Sequence, residues 1–262
     1  MTTKQYIVTL DAIRSKYEGD CPPSWIRITT ITMLGKFNQT ISIQTIRDSF
    51  ANGPIRMRRR GTHTNGFEWS LRETTFYNQV TLSYFDNFSN KSIKVFPNGS
   101  FQVAGCSDRR DCRRIVQQLT FFLKHIESVS GDLESEPFRV VMINTNFSLN
   151  SPVDLAQVMD VLSGPKYIVS FNPDRYSAVK VKFCPAENTK QVTASIFSTG
   201  KIIVTGAETL KEIALAYEIL NEKLRQTRIP GEVKTEDTFD KIKGIAFKEI
   251  VAKLKLENIK RF

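Results

Sequence analysis

The chain has 262 residues and a formal net charge of +10. Hydrophobic residues make up 40% of it and charged residues 24%, a balance that is ordinary for a globular protein and excludes a chain that is disordered throughout. The excess of positive charge favours an acidic partner, such as nucleic acid or an anionic membrane surface. Solvated surface lysines are an equally good explanation of the charge by itself.

Several classes of protein are excluded by missing motifs. The first residues, "MTTKQYIVTL", lack the pattern of a signal peptide, and no apolar run is long enough to span a membrane, so we expect an intracellular protein. The four cysteines form no C-x-x-C pair and are expected to be free thiols. With only two histidines, and without a phosphate-binding loop or nucleophile elbow, we expect no metal, cofactor, small-molecule substrate or catalytic residue.

In chain order, the first predicted elements follow an N-terminal extension, residues 1–24, which ends in the chain-breaking "CPPS". The run "IRITTITML" predicts a strand, and "ISIQTIRDSF" predicts a helix. Residues 51–75 form an insertion that we interpret as a basic loop. This loop is either merely exposed or contacts phosphate groups of a nucleic acid. Its basic residues are Arg56, Arg58, Arg59 and Arg60.

The next elements are a strand, "YNQVTLSYF", and a strand–turn–strand, "FPNGSFQVAG". The segment "GCSD" that follows contains a conceivable nucleophile, Cys106. A helix start explains this segment better, because Ser107 or Asp108 can accept hydrogen bonds from the first amides of a helix. The spacing of Cys112, Val116 and Leu119 then predicts that helix.

The second half of the chain repeats these elements after about a hundred residues. It contains the strand "FRVVMINTNF", the helix "PVDLAQVMDVL", the strand "YSAVKVKFC" and the strand–turn–strand "FSTGKIIVTG". When Phe96 is set against Phe197, Gly99 meets Gly200 without a gap. The sequence therefore predicts one unit of strand–helix–strand–strand–strand–helix, written twice with pseudo-twofold symmetry.

The strands of this repeat have two different faces. From Tyr176, one face carries Lys180 and Lys182, whereas the other carries Val179, Val181 and Phe183. We expect the apolar face to pack under the long helices and the mixed polar and aromatic face to stay open. After the repeats, "IPGEVKTED" predicts a linker. The final residues predict an amphipathic helix, which we expect to pack on its own domain rather than to bind a partner.

The stretch "TASIFSTGKIIVTGAETLKEIALAYEILNEKL" resembles the second repeat of the TATA-box-binding protein family. The first repeat, "YNQVTLSYFDNFSNKSIKVFPNGSFQVAGCSD", is more diverged and resembles the TATA-binding-like proteins of large nucleocytoplasmic DNA viruses. The resemblance implies an α+β saddle, in which two pseudo-symmetric repeats form one curved antiparallel sheet with long helices on the convex side. It places the first repeat at residues 25–130, the second at 131–226, and a linker with the amphipathic helix at 227–262.

In this family, aromatic side chains wedge into base steps of the minor groove at both ends of the site and kink the duplex. Carried onto this chain, the wedges are Phe96 and Phe197, with Tyr77 and Tyr176 in place of the partner phenylalanines. Tyrosine keeps the ring but adds a hydroxyl group that needs a hydrogen-bond partner. The alternative role of these four aromatic residues is core packing.

The centre of the implied DNA site departs from the family. The midline asparagines that contact minor-groove acceptors are replaced by Thr30 and Met142. The family threonine is kept as Thr205, and Gln102 or Gln79 could supply donors instead. The resemblance also implies phosphate contacts by Lys180 and Lys182, to which the insertion adds its arginines.

The resemblance implies a transcription initiation factor that binds promoter DNA and recruits a IIB-like factor and an RNA polymerase. If viral, such a protein would act in a cytoplasmic viral factory or the nucleus, or be packaged in the virion. A second hypothesis is a scaffold of the same fold that binds proteins or nucleic acids without TATA preference. An enzyme such as a base-excision glycosylase lacks a visible catalytic constellation.

Overall fold

The protein is described from a computed structural model for residues 1–17, 21–57, 66–74, 76–86, 89–129, 131–229 and 247–262. Its helices are α1 (Thr3–Ser15), α2 (Ile43–Ser49), α3 (Arg109–His125), α4 (Leu155–Val161), α5 (Leu210–Lys223) and α6 (Phe247–Leu256). Its strands are β1 (Arg27–Lys36), β2 (Ile55–Met57), β3 (Phe67–Arg72), β4 (Val80–Asp86), β5 (Ser89–Val95), β6 (Ser100–Cys106), β7 (Arg139–Ser148), β8 (Ile168–Asn172), β9 (Tyr176–Phe183), β10 (Val192–Phe197) and β11 (Lys201–Ala207).

The chain divides into two compact units. Residues 30–142 form the first-repeat unit, and residues 1–29 together with 143–262 form the second-repeat unit. The strands of the first-repeat unit lie in the order β2-β3-β4-β5-β6-β1, and those of the second-repeat unit in the order β7-β11-β10-β9-β8. The neighbouring strands within each unit run antiparallel.

The predicted internal repeat is confirmed by the backbone of the turns. Gly99 and Gly200 have φ angles of +82° and +77°, in the left-handed region that favours glycine. The amide of each glycine donates to the carbonyl of the phenylalanine three residues earlier, Phe96 at 3.1 Å and Phe197 at 2.9 Å. A Cβ atom on Gly200 would lie 1.9 Å from the Ser151 carbonyl oxygen, so this turn tolerates no side chain there.

The order of elements within each repeat was predicted incompletely. A further strand, β3 in one unit and β8 in the other, lies between the first helix and the strand predicted from each tyrosine, which is β4 or β9, and β2 adds an edge strand outside β3. The interpretation of residues 51–75 as a basic loop is therefore wrong for its described ends, and Arg56 lies in β2. The missed signal is the alternation of Phe67 and Trp69 with polar residues, which buries both rings.

The first-repeat unit is built around α3. The indole of Trp69 stacks on the ring of Phe122 with centroids 4.8 Å apart, so α3 covers one face of the sheet. Cys112, Val116 and Leu119 are buried on this helix, as their spacing predicts. The Asp108 carboxylate caps the helix by accepting from the amides of Arg110 and Asp111. These features confirm "GCSD" as a helix start.

Burial excludes Cys106 as an exposed nucleophile. Its side chain is fully buried at the end of β6. Burial in the core raises the pKa of this thiol to about 12, with a smaller contribution from the nearby Asp111 carboxylate. A thiol with so high a pKa stays protonated at neutral pH and is inert.

A buried ion-pair network ties α3 to the sheet. Lys91 on β5 is 3% exposed, and its Nζ lies 2.7 Å from Asp111 Oδ2 and donates to the Gly105 carbonyl at 2.7 Å. Arg114 donates to Asp111 Oδ1 at 2.9 Å and also pairs with Asp86. Burial alone would raise the pKa of Asp111, but hydrogen bonds from Lys91, the Ser107 amide and Arg114 outweigh it and lower the pKa to about 2.

The second-repeat unit places α5 against its sheet. Thr209 and Glu212 form a capping box at the start of α5, and Tyr217 packs edge-on against Phe147 of β7 at 4.7 Å. The Tyr217 hydroxyl donates to the Ser24 carbonyl at 2.8 Å, which anchors the segment before β1 to this helix. The contact of Tyr217 with Phe147 confirms the expectation that one strand face packs under a long helix.

The two ends of the chain pack together on this unit. The helix α1 contacts both α5 and α6. An ion pair joins Lys255 of α6 to Asp11 of α1 at 2.6 Å, and the side chains of Val251 and Leu254 are buried. The predicted C-terminal helix therefore packs on its own unit. None of the described helices is long and apolar enough to cross a membrane.

The Asp111 network should make the protein sensitive to acid. Because the carboxylate binds a proton less tightly in the folded chain than in the unfolded chain, its contribution is complete above about pH 4 and is lost as pH falls towards 2. We expect Asp111→Asn to lower the free energy of unfolding by about 2 kcal/mol at neutral pH and by progressively less below pH 4. Urea unfolding over a pH series measures this, with Asp132→Asn, whose side chain is 99% exposed, as the control. A difference that does not change with pH would contradict the network.

The turn glycine should tolerate no side chain for a steric reason. We expect Gly200→Ala to destabilise the fold by about 3 kcal/mol, because the new Cβ adds a backbone clash to the positive φ. Gly53→Ala is the matched control, since Gly53 also has a positive φ but a Cβ added to it would meet nothing within 4 Å. Thermal unfolding measures both variants, and equal losses would show that backbone conformation alone matters at Gly200.

Candidate nucleic-acid interface

Among the described residues, no helix packs on one face of the strands of each unit, which we call the helix-free face. On β10, Val192, Ala194 and Ile196 are buried on the helix side, while Thr193, Ser195 and Phe197 are partly exposed on the other. The β9 strand follows the same alternation with Lys180 and Lys182 exposed and Val179, Val181 and Phe183 buried. The two faces predicted from the sequence are therefore confirmed in this unit.

The strand registers define a row of side chains across the helix-free face of the second-repeat unit. From β7 to β8, this row consists of Asn146, Ile203, Ser195, Lys180 and Ser170. It combines an amide, an apolar side chain that is 37% exposed, two hydroxyls and an ammonium group. Such a row offers hydrogen-bond donors, contact area and positive charge to one ligand.

An aromatic pair lies at one end of this face. The rings of Tyr176 and Phe197 meet edge-on with centroids 5.7 Å apart, and Ala178, opposite Phe197, is buried beside them. The Lys180 ammonium lies 4.4 Å from the centre of the Tyr176 ring, a cation–π distance. The structure thus brings together both predicted wedge residues of this repeat on the helix-free face, and neither belongs to the buried core.

The first-repeat unit places its aromatic residues at equivalent positions. Val80 pairs with Val95, so Gln79 continues the register opposite Phe96, as Ala178 does opposite Phe197. Tyr77, two residues before Gln79, is 88% exposed. Tyr77, Gln79 and Phe96 line a cavity of about 280 Å³, together with Phe76 and Asn78.

The helix α2 holds the start of β4 in place. Arg47 on α2 donates from Nη2 to the carbonyls of Tyr77 at 3.1 Å and Gln79 at 3.3 Å. The backbone that carries Tyr77 is therefore fixed, although its ring is exposed. Gln79 itself is buried and donates to the Thr81 hydroxyl at 3.4 Å, so it offers less to a ligand than the sequence suggested.

The residues predicted at the centre of the site are less exposed. Thr30, Met142 and Gln102 are all half-buried. Thr205 is also half-buried, and its hydroxyl donates to the Thr193 carbonyl at 3.5 Å, a long hydrogen bond. Of these residues, Gln102 lies opposite both Leu34 and Lys94 in the register of the first-repeat unit.

The predicted basic residues differ in how free they are to bind a phosphate. Lys180 and Lys182 are exposed on β9. Arg56 is 81% exposed but forms an ion pair with Glu68 across the β2–β3 pair at 2.8 Å, which reduces the charge it can offer a phosphate. Arg58, Arg59 and Arg60 lie outside the described residues.

Three further residues on these faces were not identified from the sequence. Phe76 is 66% exposed in the cavity beside Tyr77, Asn146 lies two positions along the face from Asn144, and Arg72 ends β3 on the helix-free face. Period-2 alternation in "INTNFS" could have placed Asn146 on the same face as Met142. The spacing of Phe67 and Trp69 was the only sequence signal for the strand β3.

Comparison with known proteins supports one family. A family model described as "Transcription factor TFIID (or TATA-binding protein, TBP)" matches residues 137–227. The chain is 29% identical over 181 residues to a TATA-box-binding protein-like protein of Acanthamoeba polyphaga mimivirus, covering 57% of this chain and 48% of that protein. It is 31% identical over 94 residues to the TATA-box-binding protein of Pyrococcus abyssi, covering 36% and 45%. The matches thus span about half the length of these curated relatives.

A solved structure agrees on the fold. The TATA-binding protein of Methanococcus jannaschii aligns with a TM-score of 0.53 and 12% identity, covering 77% of this chain and 98% of that one. At this level of identity the likeness shows the fold alone, and it confirms the predicted fold class. Residues 137–227 accordingly match the family model of TATA-binding proteins, and the chain adopts the fold of the solved TATA-binding protein.

Proposed function

We propose that this protein is a TATA-binding-like transcription initiation factor that binds duplex DNA through the minor groove and bends it. One observation carries the proposal: each repeat has an exposed or half-exposed tyrosine and phenylalanine at equivalent positions, in edge-on contact in the second-repeat unit and lining one cavity in the first. The pairs are Tyr77 with Phe96 and Tyr176 with Phe197. A folded chain gains nothing from two such pairs on an uncovered face unless a ligand covers them.

The chemistry of the pairs suits insertion between base pairs. Opening a base step costs a few kcal/mol, which is offset by the surface that a bent duplex lets the protein contact. A ring that its neighbours hold in place loses little conformational entropy on insertion. Phe197 packs against Tyr176, and the backbone of Tyr77 is anchored by a hydrogen bond from Arg47. Lys180 and Lys182 lie along the adjacent strand, where they can neutralise phosphates.

Readout of A·T pairs is proposed for the second-repeat unit. The minor groove presents only acceptors at A·T pairs, whereas G·C pairs add the guanine amino group. The Asn146 amide can donate to those acceptors. The neighbouring Ile203 has no acceptor, so a guanine amino group that faced it would be a buried donor without a partner. Selectivity for A·T pairs would then lie in this row rather than at Met142.

Recruitment of a IIB-like factor and an RNA polymerase is proposed from the family resemblance. No residue of this chain is assigned to those contacts. The mimivirus relative favours a viral factor, acting in a cytoplasmic viral factory or a nucleus, or carried in the virion. We propose a binding role without catalysis.

A second candidate function is a scaffold of the same fold that binds nucleic acid or protein without TATA preference. Its support is the midline, where Thr30 and Met142 replace the asparagines of the family and Ala104 stands where the second repeat has Thr205. Removing these donors removes base-specific hydrogen bonds while leaving phosphate attraction intact. The two candidates differ in whether A·T-rich duplexes are preferred.

The wedge assignment can be tested by removing both phenylalanines. We expect Phe96→Ala combined with Phe197→Ala to abolish most of the bending while the salt dependence of binding changes little, because phosphate contacts are made elsewhere. Energy transfer between dyes at the two ends of a duplex measures bending, and titration at several salt concentrations measures attraction. Phe121→Ala, which removes an exposed ring from α3, is the control. Unchanged bending in the double variant would refute the wedge assignment.

The midline can be tested by restoring the family amide. We expect Met142→Asn to raise the preference for A·T-rich over G·C-rich duplexes about five-fold, since one added hydrogen bond contributes about 1 kcal/mol. Met142→Leu keeps the apolar volume and should leave the preference unchanged. Competition binding with the two duplexes measures it. Sequence-independent binding by both the parent and Met142→Asn would favour the scaffold.

A further inference from the structure

The lysines of the second-repeat unit that are proposed to contact phosphate have no direct counterparts in the first. Counting from the two wedge phenylalanines, the position of Lys180 on β9 corresponds to Thr81 on β4, and that of Lys182 to Ser83. From sequence, the first repeat therefore lacks positive charge on this strand. The described strands show which residues carry the positive charge beside Thr81 and Ser83.

The strand that carries a lysine in the second-repeat unit carries a hydroxyl side chain in the first-repeat unit. In the second-repeat unit, Lys180 on β9 lies opposite Ser170 on the edge strand β8. In the first-repeat unit, Thr81 on β4 lies opposite Arg72 on β3, and opposite Lys94 of β5 on its other side. Each row thus keeps positive charge beside a hydroxyl, but in the first repeat the cations lie on the two strands that flank β4, β3 and β5, and not on β4 itself.

The Arg72 side chain extends over β4 on the helix-free face. Its Nη2 donates to the Ser83 hydroxyl at 3.0 Å, and that hydroxyl donates to Asn90 Oδ1 at 3.1 Å. This chain of hydrogen bonds brings the guanidinium group to the position that corresponds to Lys182. Trp69 lies three residues before Arg72 on the same strand and packs under α3. Because residues an odd number apart on a strand point to opposite faces, Arg72 lies on the helix-free face.

The guanidinium group keeps capacity for an anion. Arginine has five N–H donors, and within the described part of the chain Arg72 makes only the hydrogen bond to Ser83 and no ion pair. The residue is exposed, and a planar fork of donors binds phosphate oxygens in a bidentate way. Arg56, by contrast, already pairs with Glu68.

We propose that Arg72, with Lys94 on the other side of Thr81, is the phosphate-binding site of the first-repeat unit. It contacts the DNA backbone where Lys180 and Lys182 do so in the second. This inference rests on the proposed DNA binding and names residues that neither the family match nor the sequence pattern singles out. The matched region of the family model, residues 137–227, does not include them.

The test compares salt dependence among variants of the full chain. A labelled duplex is titrated by fluorescence anisotropy between about 50 and 200 mM salt, where one lost phosphate contact lowers the slope of log K against log salt by about 0.9. Arg72→Gln keeps a donor for Ser83 and removes the charge. We expect it to lower the slope by about one unit and to weaken binding about five-fold on A·T-rich and G·C-rich duplexes alike.

Three further variants separate binding from structure and from net charge. Arg109→Gln removes the same charge from an exposed position on α3 and should leave the slope unchanged. Ser83→Ala removes the hydrogen bond but keeps the charge, so the slope should stay near that of the parent. Arg72→Gln combined with Thr81→Lys places the cation on β4, as in the second repeat, and should restore the slope.

The outcomes distinguish this inference from the function on which it rests. A parent that shows no binding to either duplex, at low or at high salt, would refute the proposed DNA binding itself. If the parent binds and Arg72→Gln behaves like Arg109→Gln, the assignment of Arg72 is refuted while DNA binding stands. Equal losses in Ser83→Ala and Arg72→Gln would show that Arg72 has only a structural role.

Discussion

The packing of a long helix against one face of each antiparallel sheet determines the role of nearly every other strand residue. Once α3 covers Trp69 and α5 covers Phe147, the period-2 alternation of the strands assigns the remaining side chains to the helix-free face. A register slip of one residue would bury Lys180 and Lys182 and expose the core valines beside them. The glycine turns after Phe96 and Phe197 fix that register, because no other residue fits Gly200. The aromatic pairs are thus a consequence of how the core is built.

The two repeats share this plan but differ in chemistry. In the second-repeat unit, the aromatic pair is packed and the charge lies on β9. In the first, Tyr77 is exposed, β2 adds an edge strand, and the charge lies on β3 with Arg72 and on β5 with Lys94. A nearly symmetric duplex bound by such a protein would meet two unequal halves. On the proposed function, this inequality would give the complex with DNA a direction.

The sequence predicted the fold to the extent that its signals were local and periodic. The glycine turns, the alternation from Tyr176 and the helical spacing after Cys106 each depend on neighbours within a few residues, and each was confirmed. The short strands β3 and β8 were missed because they are half-exposed and their sequence pattern is weak. Arg72 could not be found, because its significance comes from Ser83, which lies on another strand and meets it only after folding. The helix α1 was likewise hidden, since its partners α5 and α6 are distant in sequence.

The proposed function depends above all on whether the helix-free face bends DNA at A·T-rich sites. The end-to-end distance of short A·T-rich and G·C-rich duplexes can be determined by energy transfer, with and without the full-length protein, at two salt concentrations. We predict tighter binding to the A·T-rich duplex, a shortened distance, and binding that weakens as salt rises. Binding to both duplexes with no change in either distance would contradict the proposed bending.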